Sequence, residues 1–186
     1  MTELSNEIFP KVIQCVLYYT NIENSEVQQT VESINEKLLN LVLRVMKQDL
    51  DLTPLLSRLK HNFKSSFVKT KEIVIGWYTE MFKSSSEEMF GFNSDILENI
   101  IETLNFQETS LVKKILELLC MMSRKEDKFL REIVERLLRI FLKTREKLNI
   151  SSINEIISIL CANIDPQKVF KEFALALRSE FDDLEF

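Results

Sequence analysis

The sequence predicts an all-α protein, and three observations support this fold class. The chain has 186 residues, of which only two are glycine and three are proline, whereas strands joined by tight turns need these residues at their corners. Apolar residues recur at spacings of three and four along nearly the whole chain, which places them on one face of a helix. Because 45% of the residues are hydrophobic, the chain is long and apolar enough to bury a core.

Two apolar stripes predict the first two helices. The first stripe contains Ile8, Phe9, Val12, Ile13, Val16 and Leu17, and the second contains Val27, Val31, Ile34, Leu38, Leu41 and Val45. The polar turn TNIEN separates the stripes. Ser25 followed by Gln28 has the spacing of a capping box, which would satisfy free amide groups at the start of the second helix.

Helix-start signals predict the later elements in order. Thr53–Pro54 and Asp165–Pro166 each place a proline in a first helical turn, where its missing N–H is tolerated. Ser94 can cap one further helix, and Ser152 with Glu155 forms a second capping box. Together these signals predict about nine helices, at roughly 7–19, 26–47, 54–64, 67–83, 95–105, 110–124, 127–148, 152–163 and 166–180.

Three of the predicted helices share a signature at a regular period. Each begins with Ser, any residue, Val and then Gln or Lys, at Ser25, Ser66 and Ser110, which are 41 and 44 residues apart. Each also follows a shorter apolar helix and a polar turn. A helix-turn-helix unit at this period is typical of HEAT and armadillo repeats, so we predict an α-solenoid of that type with its helices in antiparallel pairs. A plain antiparallel helix bundle is the alternative.

Gly76 and Trp77 stand together inside the fourth predicted helix. Trp77 shares a helix face with Ile73 and with Met81 or Phe82, so we predict that it is mostly buried. Gly76 lies about 100° away around the helix, and glycine costs about 0.8 to 1.0 kcal/mol of helix propensity relative to alanine. We expect a neighbouring helix to pack closely against Gly76 and so offset that cost.

Residues that carry out chemistry in enzymes are sparse in this sequence. The single histidine, His61, lies in LKHNFK on a short amphipathic helix, with no second metal ligand at a diagnostic spacing. Two isolated glycines cannot form a phosphate-binding loop. Cys120 and Cys161 stand among apolar residues, unlike activated nucleophiles. We therefore expect no catalytic activity, no cofactor and no bound metal.

Charge is segregated along the chain, although the net charge of −5 disfavours a nucleic-acid-binding protein. No acid lies between Leu52 and Lys71. The cations of this segment predict a basic surface at the turn between the third and fourth helices: Arg58, Lys60, Lys64, Lys69 and Lys71. The last seven residues, EFDDLEF, carry four acids.

The cellular compartment is predicted from what the sequence lacks. No apolar run reaches the roughly 18 residues of a membrane-spanning helix, and the first residues do not have the basic-then-apolar order of a signal peptide. The three cysteines show no Cys-x-x-Cys spacing and are typical of buried thiols in a reducing compartment. These features predict a cytoplasmic protein.

Two stretches resemble a known family. Residues 55–104, LLSRLKHNFKSSFVKTKEIVIGWYTEMFKSSSEEMFGFNSDILENIIETL, resemble a repeat of the HEAT scaffold subunit of the PIKfyve phosphoinositide kinase complex. Trp77, Met89 and Phe90 stand in the matching places. Residues 129–186 resemble the start of that family's region that binds a Sac-type phosphoinositide phosphatase, while residues 1–128 are predicted to be HEAT-like repeats of the same helical domain. The residues that carry the second correspondence are Phe141, Arg145, Leu148, Leu160, Cys161, Phe173, Ala174, Asp183, Leu184 and Phe186.

The resemblance implies a non-enzymatic scaffold that organises a phosphoinositide kinase and an opposing phosphatase, controls phosphatidylinositol 3,5-bisphosphate, and lies on the vacuolar or endolysosomal membrane. It implies that the partner-binding residues are Phe141, Arg145, Phe173, Asp183, Leu184 and Phe186. Residues 149–152, NISS, replace an Arg-Gly of the family, and family chains are several times longer, so the resemblance describes either a reduced member or a fragment.

Two other interpretations are open at the level of sequence. The first is a helical-repeat adaptor that binds proteins unrelated to lipid kinases and shares only the repeat architecture. The second is direct contact between the basic turn and an anionic membrane surface, which depends on the exposed cations of that segment.

Overall fold

Nine α-helices and no strand make up the part of the chain that the computed structural model describes, residues 2–46, 51–84, 93–103, 109–125, 127–143 and 150–182. The prediction of an all-α fold is confirmed. The helices are α1 (Thr2–Tyr19), α2 (Ser25–Val45), α3 (Thr53–Asn62), α4 (Val68–Ser84), α5 (Asn93–Thr103), α6 (Thr109–Lys125), α7 (Asp127–Lys143), α8 (Ile150–Asn163) and α9 (Pro166–Asp182).

Several helix starts differ from the predicted signals. Ser94 and Ser152 are not N-caps, because α5 and α8 already begin at Asn93 and Ile150. The Oδ1 atom of Asp165 accepts a hydrogen bond of 3.0 Å from the Gln167 amide, as expected before Pro166. The predicted Ser25 capping box is wrong, because Asn24 is the N-cap and its Oδ1 accepts from the Val27 amide at 3.0 Å. Helix α1 begins at Thr2, before the predicted start near residue 7, and it contains Pro10.

Contacts divide the chain into two compact units, Met1–Ile100 and Ile101–Phe186, whereas the sequence pattern placed a division at residues 128–129. In the first unit, α1 packs against α2, α3 and α4, and α4 packs against α2 and α3. Tyr78, late in α4, donates a hydrogen bond of 3.3 Å to the carbonyl of Leu56, early in α3. Helices α3 and α4 therefore form an antiparallel hairpin, and it stacks on the hairpin formed by α1 and α2.

Helix α4 holds the first unit together through two adjacent aromatic residues. Trp77 is 1% exposed, which confirms its predicted burial, and its indole N–H donates to Oδ1 of Asn35 in α2 at 2.8 Å. Tyr78 is 2% exposed and stacks on Phe63 with ring centroids 5.4 Å apart. The two side chains thus connect α4 to α2 and to the end of α3.

The predicted role of Gly76 is wrong. A methyl group placed on its α-carbon would meet no atom within 4 Å outside its own helix and chain neighbours. No helix therefore presses against this position. Close packing of a neighbouring helix therefore does not offset the loss of helix propensity at Gly76.

The second unit repeats the stacking of the first. Helix α6 packs against α7 and α8, and α9 packs against α7 and α8. Arg124, near the end of α6, donates hydrogen bonds of 2.8 and 2.9 Å to the carbonyl and Oδ1 of Asn163, at the end of α8. Arg131 of α7 pairs with Glu172 of α9 at 2.9 Å. The hairpin α6–α7 thus lies on the hairpin α8–α9. The signature at Ser110 predicts instead that α6 pairs with the helix before it, so the observed pairing is shifted by one helix.

We predict that Trp77→Ala lowers the free energy of unfolding by about 3 to 5 kcal/mol, as large-to-small substitutions of buried aromatic residues do. Urea unfolding followed by circular dichroism measures this change. An Ile34→Ala variant, at an exposed position of α2, is the control and should cost far less. An unchanged urea midpoint in Trp77→Ala would contradict the observed packing.

We predict that Gly76→Ala raises the free energy of unfolding by about 0.5 to 1 kcal/mol, because alanine gains helix propensity and its methyl group enters open space. The same urea titration measures the effect. A lowered midpoint would mean that another helix approaches Gly76 after all.

Candidate protein-binding surface

The first hairpin carries apolar side chains on two faces, and only one of them is covered. In α1 the residues Phe9, Ile13, Val16 and Leu17 are buried. A second stripe, Ile8, Val12, Cys15 and Tyr19, runs along the other side of the helix at spacings of three and four. Ile8 and Tyr19 are 43% and 46% exposed. This stripe is therefore available to a neighbour outside the hairpin.

The predicted apolar stripe of α2 is also partly buried and partly exposed. Val31 and Leu38 are buried at 7% exposure each, whereas Ile34 and Leu41 are 42% and 47% exposed. Val27, Ile34 and Leu41 follow one another at intervals of seven residues, so they lie nearly in line along one edge of the helix. That edge borders the exposed stripe of α1.

The two stripes enclose a groove, which we call the α1–α2 groove. One part has a volume of about 330 Å³ and is lined by Lys11, Val12, Cys15, Val16, Tyr19, Val31 and Ile34. The adjoining part, of about 380 Å³, shares Tyr19, Val31 and Ile34 and adds Glu26, Val27 and Thr30. Lys11 lies at one part of the rim and Glu26 at another, so the groove has an apolar floor with charges of both signs at its edge.

The last hairpin also exposes apolar side chains. Phe170 and Leu177 of α9 are 61% and 39% exposed, and Ala174 between them is exposed as well. The spacing of four and three residues places them on one side of the helix. On another side of α9, Val169 and Ala176 are buried, and Glu172 pairs with Arg131.

Most of the residues named from the family resemblance fall outside the described part of the chain. Arg145, Asp183, Leu184 and Phe186 lie there, and so does the side chain of Phe141, although its backbone belongs to α7. Phe173 is half-buried in α9. The residues of the α1–α2 groove were not among the predicted partner-binding residues.

The predicted basic surface needs one correction. Arg58, Lys64 and Lys69 are exposed and Lys60 is half-buried. Lys71 is 5% exposed, and burial lowers the pKa of its ammonium group. Lys71 lies on the same face of α4 as the buried residues Val74 and Tyr78, so it belongs to the interior and not to the basic surface.

The residues proposed in the sequence as poor candidates for chemistry can be placed in the described ranges. No group of three or more His, Cys, Asp and Glu side chains that could hold a metal ion occurs there, and His61 is exposed. Burial raises the pKa of the Cys120 thiol to about 11, which disfavours the nucleophilic thiolate. Among the helices that the structure describes, none has both the length and the apolar character needed to cross a bilayer.

Comparison with protein-family models, with curated proteins and with solved structures finds no match to this chain. The family resemblance seen in the sequence therefore stays a prediction.

We predict that the three cysteines differ in their rate of alkylation by iodoacetamide at pH 8. Cys15 is exposed in the groove, Cys161 is half-buried and Cys120 is buried, so Cys15 should react first and Cys120 last. Mass spectrometry of the digested protein identifies each site. In denaturant all three should react, and rapid modification of Cys120 in the folded protein would contradict its burial.

Proposed function

We propose that this protein is a non-enzymatic helical-repeat scaffold that binds protein partners through the α1–α2 groove. The observation that carries the proposal is an apolar groove left open on a hairpin whose other face is covered by the next hairpin. Helical-repeat proteins bind partners on such surfaces because each repeat offers the same kind of helix ridge and groove.

A HEAT-like arrangement is supported by hydrogen bonds between corresponding positions of stacked hairpins. Asn35 and Trp77 are 42 residues apart, Arg131 and Glu172 are 41 apart, and Arg124 and Asn163 are 39 apart. Arg131 and Glu172 lie early in α7 and α9, and Arg124 and Asn163 lie at the ends of α6 and α8, so these helices run parallel from one hairpin to the next. In the first unit, the hydrogen bond between Asn21 and Thr70 brings the start of α2 beside the start of α4. In an up-and-down bundle α2 would pack mainly against its chain neighbour α3, whereas its main packing partners in the described ranges are α1 and α4.

An amphipathic helix is the partner element that the groove suits best. The groove runs between two helices and offers an apolar floor, and helix-in-groove recognition uses apolar anchors at spacings of three, four and seven residues. The other face of the same hairpin already accepts the helices α3 and α4. The opposite charges of Lys11 and Glu26 would favour one direction of the bound helix.

We predict that Ile34→Asp combined with Leu41→Asp abolishes partner binding. Ile34 lines the groove, and Leu41 extends the same exposed edge of α2 beyond it, so each substitution places a carboxylate where a partner helix would pack. The loss of an apolar anchor of this size corresponds to about 1.5 to 3 kcal/mol. Quantitative affinity purification of the tagged full-length protein from its source cells measures the effect.

The matched control is Ser33→Asp combined with Asn40→Asp, which adds the same charge at exposed positions one residue away on α2. This control should retain the partners. The proposal fails if the groove variant and the control capture the same proteins in equal amounts, or if binding leaves the alkylation rate of Cys15 unchanged.

A more specific form of the proposal is that the scaffold holds a phosphoinositide kinase and a Sac-type phosphoinositide phosphatase on an endolysosomal or vacuolar membrane. The support is the order of phrases shared with the PIKfyve scaffold, and the exposed stripe of α9, which lies in the region that resembles the phosphatase-binding segment. A general helical-repeat adaptor is the alternative.

We predict that Phe170→Asp combined with Leu177→Asp removes the phosphatase from the purified complex. Ser158→Asp combined with Ser179→Asp, at exposed serines of the same hairpin, should retain it. Immunoblotting for the phosphatase and the kinase decides between the two forms. Partners that include neither enzyme would favour the general adaptor.

A further inference from the structure

The turn between α3 and α4 exposes an aromatic side chain that the fold does not use. Phe63 at the start of the turn is 3% exposed and stacks on Tyr78. Phe67, four residues later, is 56% exposed. One aromatic residue anchors the turn to the core, while the other is presented to solvent.

The position of Phe67 is set by hydrogen bonds on both sides. Its amide donates to Oγ of Ser65 at 3.2 Å, and its carbonyl accepts from the amide of Lys71 at 3.3 Å. The Ser65 amide in turn donates to the carbonyl of Asn62 at 3.1 Å. The turn therefore presents Phe67 in a defined conformation, which lowers the entropic cost of using it as a contact.

Exposed cations flank this aromatic residue. Lys64 lies three residues before Phe67 and Lys69 two residues after it, and both are exposed, as is Arg58 on α3. No acid occurs in the chain between Leu52 and Lys71. The turn is thus cationic around an apolar tip, in a protein whose net charge is −5.

The neighbouring turn limits how a flat surface could approach. The side-chain Nδ2 of Asn21 donates a hydrogen bond of 2.8 Å to Oγ1 of Thr70, which brings the α1–α2 turn beside the first turn of α4. That turn exposes Ile22 and Glu23, and Glu26 is exposed in the first turn of α2. An anionic surface would therefore meet the α3–α4 turn and be repelled by the other.

We propose that the α3–α4 turn, residues 63–69, binds anionic lipid bilayers, with Phe67 entering the interfacial region and Lys64 and Lys69 pairing with the headgroups. Cations near an anionic leaflet attract it, and apolar rings are favoured at the headgroup boundary. A bilayer suits this turn better than a protein does. A folded protein would need a matching pocket for the single exposed aromatic ring, whereas a fluid bilayer interface can admit the ring without one. This inference is independent of the proposed scaffold function.

Sedimentation with vesicles tests the proposal on the full chain. We expect binding to vesicles of phosphatidylcholine with phosphatidylserine, at least tenfold weaker binding to phosphatidylcholine alone, and loss of affinity as salt rises. Phe67→Ala, and Lys64→Glu combined with Lys69→Glu, should each weaken binding at least tenfold. Phe67→Trp should retain or strengthen it, since tryptophan favours membrane interfaces.

The controls are matched in exposure and charge. Leu175→Ala removes an exposed apolar side chain of α9, and Lys113→Glu combined with Lys171→Glu reverses two exposed cations of the second unit. Both should bind like the wild type, and circular dichroism should show that every variant is folded.

Three results would overturn the proposal: equal binding to neutral and anionic vesicles, equal loss in the control and turn variants, or no vesicle binding. The vesicle assay needs only purified protein and lipid. A negative vesicle assay therefore does not affect the groove proposal, and a negative affinity purification does not affect the membrane-binding proposal. A turn that bound an acidic protein but no vesicle would also refute it.

Discussion

Trp77 and Tyr78 are neighbours in α4, and their side chains point about 100° apart around the helix. Trp77 reaches α2 and hydrogen-bonds Asn35, whereas Tyr78 reaches α3 and stacks on Phe63. Both rings are almost fully buried. Trp77 thus holds the second hairpin against the first, and Tyr78 holds the two helices of the second hairpin together. Stacking of the second hairpin also covers one face of α1, which leaves the α1–α2 groove on the other.

The two units reach the same hairpin stacking with different side chains. In the first unit a buried indole N–H and an asparagine connect parallel helices. In the second unit the corresponding connections are Arg124 with Asn163 and Arg131 with Glu172, which lie at the surface. Surface ion pairs contribute little stability, so the stability of the second unit comes mainly from its apolar contacts. The polar pairs favour one alignment of α6 with α8 and of α7 with α9.

Much of the fold could be predicted because helical periodicity is a local property. The apolar stripes and the prolines after Thr53 and Asp165 located the helices, although the start of α1 was missed because residues 2–7 contain only one apolar residue, Leu4. The stripe from Ile8 to Leu17 was correctly assigned to a helix but interpreted as one face. Its residues come in adjacent pairs, which cover about half of the helix circumference, and that width indicates two faces.

The candidate sites could not be predicted from the sequence, because the burial or exposure of their residues depends on tertiary contacts. Lys71 looked like part of a basic surface, but it lies one turn before Val74 and Ile75 on the buried side of α4. Gly76 looked like a point of close helix packing, yet no neighbour comes near it. Phe67 and Phe63 have the same residue type and similar surroundings in sequence, and only the folded turn shows which of them is exposed.

The burial of Trp77 has a practical consequence, since it is the only tryptophan in the chain. Its fluorescence reports on the first unit alone, at the point where α2 meets α4. Comparing the emission with the ellipticity of all nine described helices during denaturation would therefore reveal whether the two units melt together or one after the other.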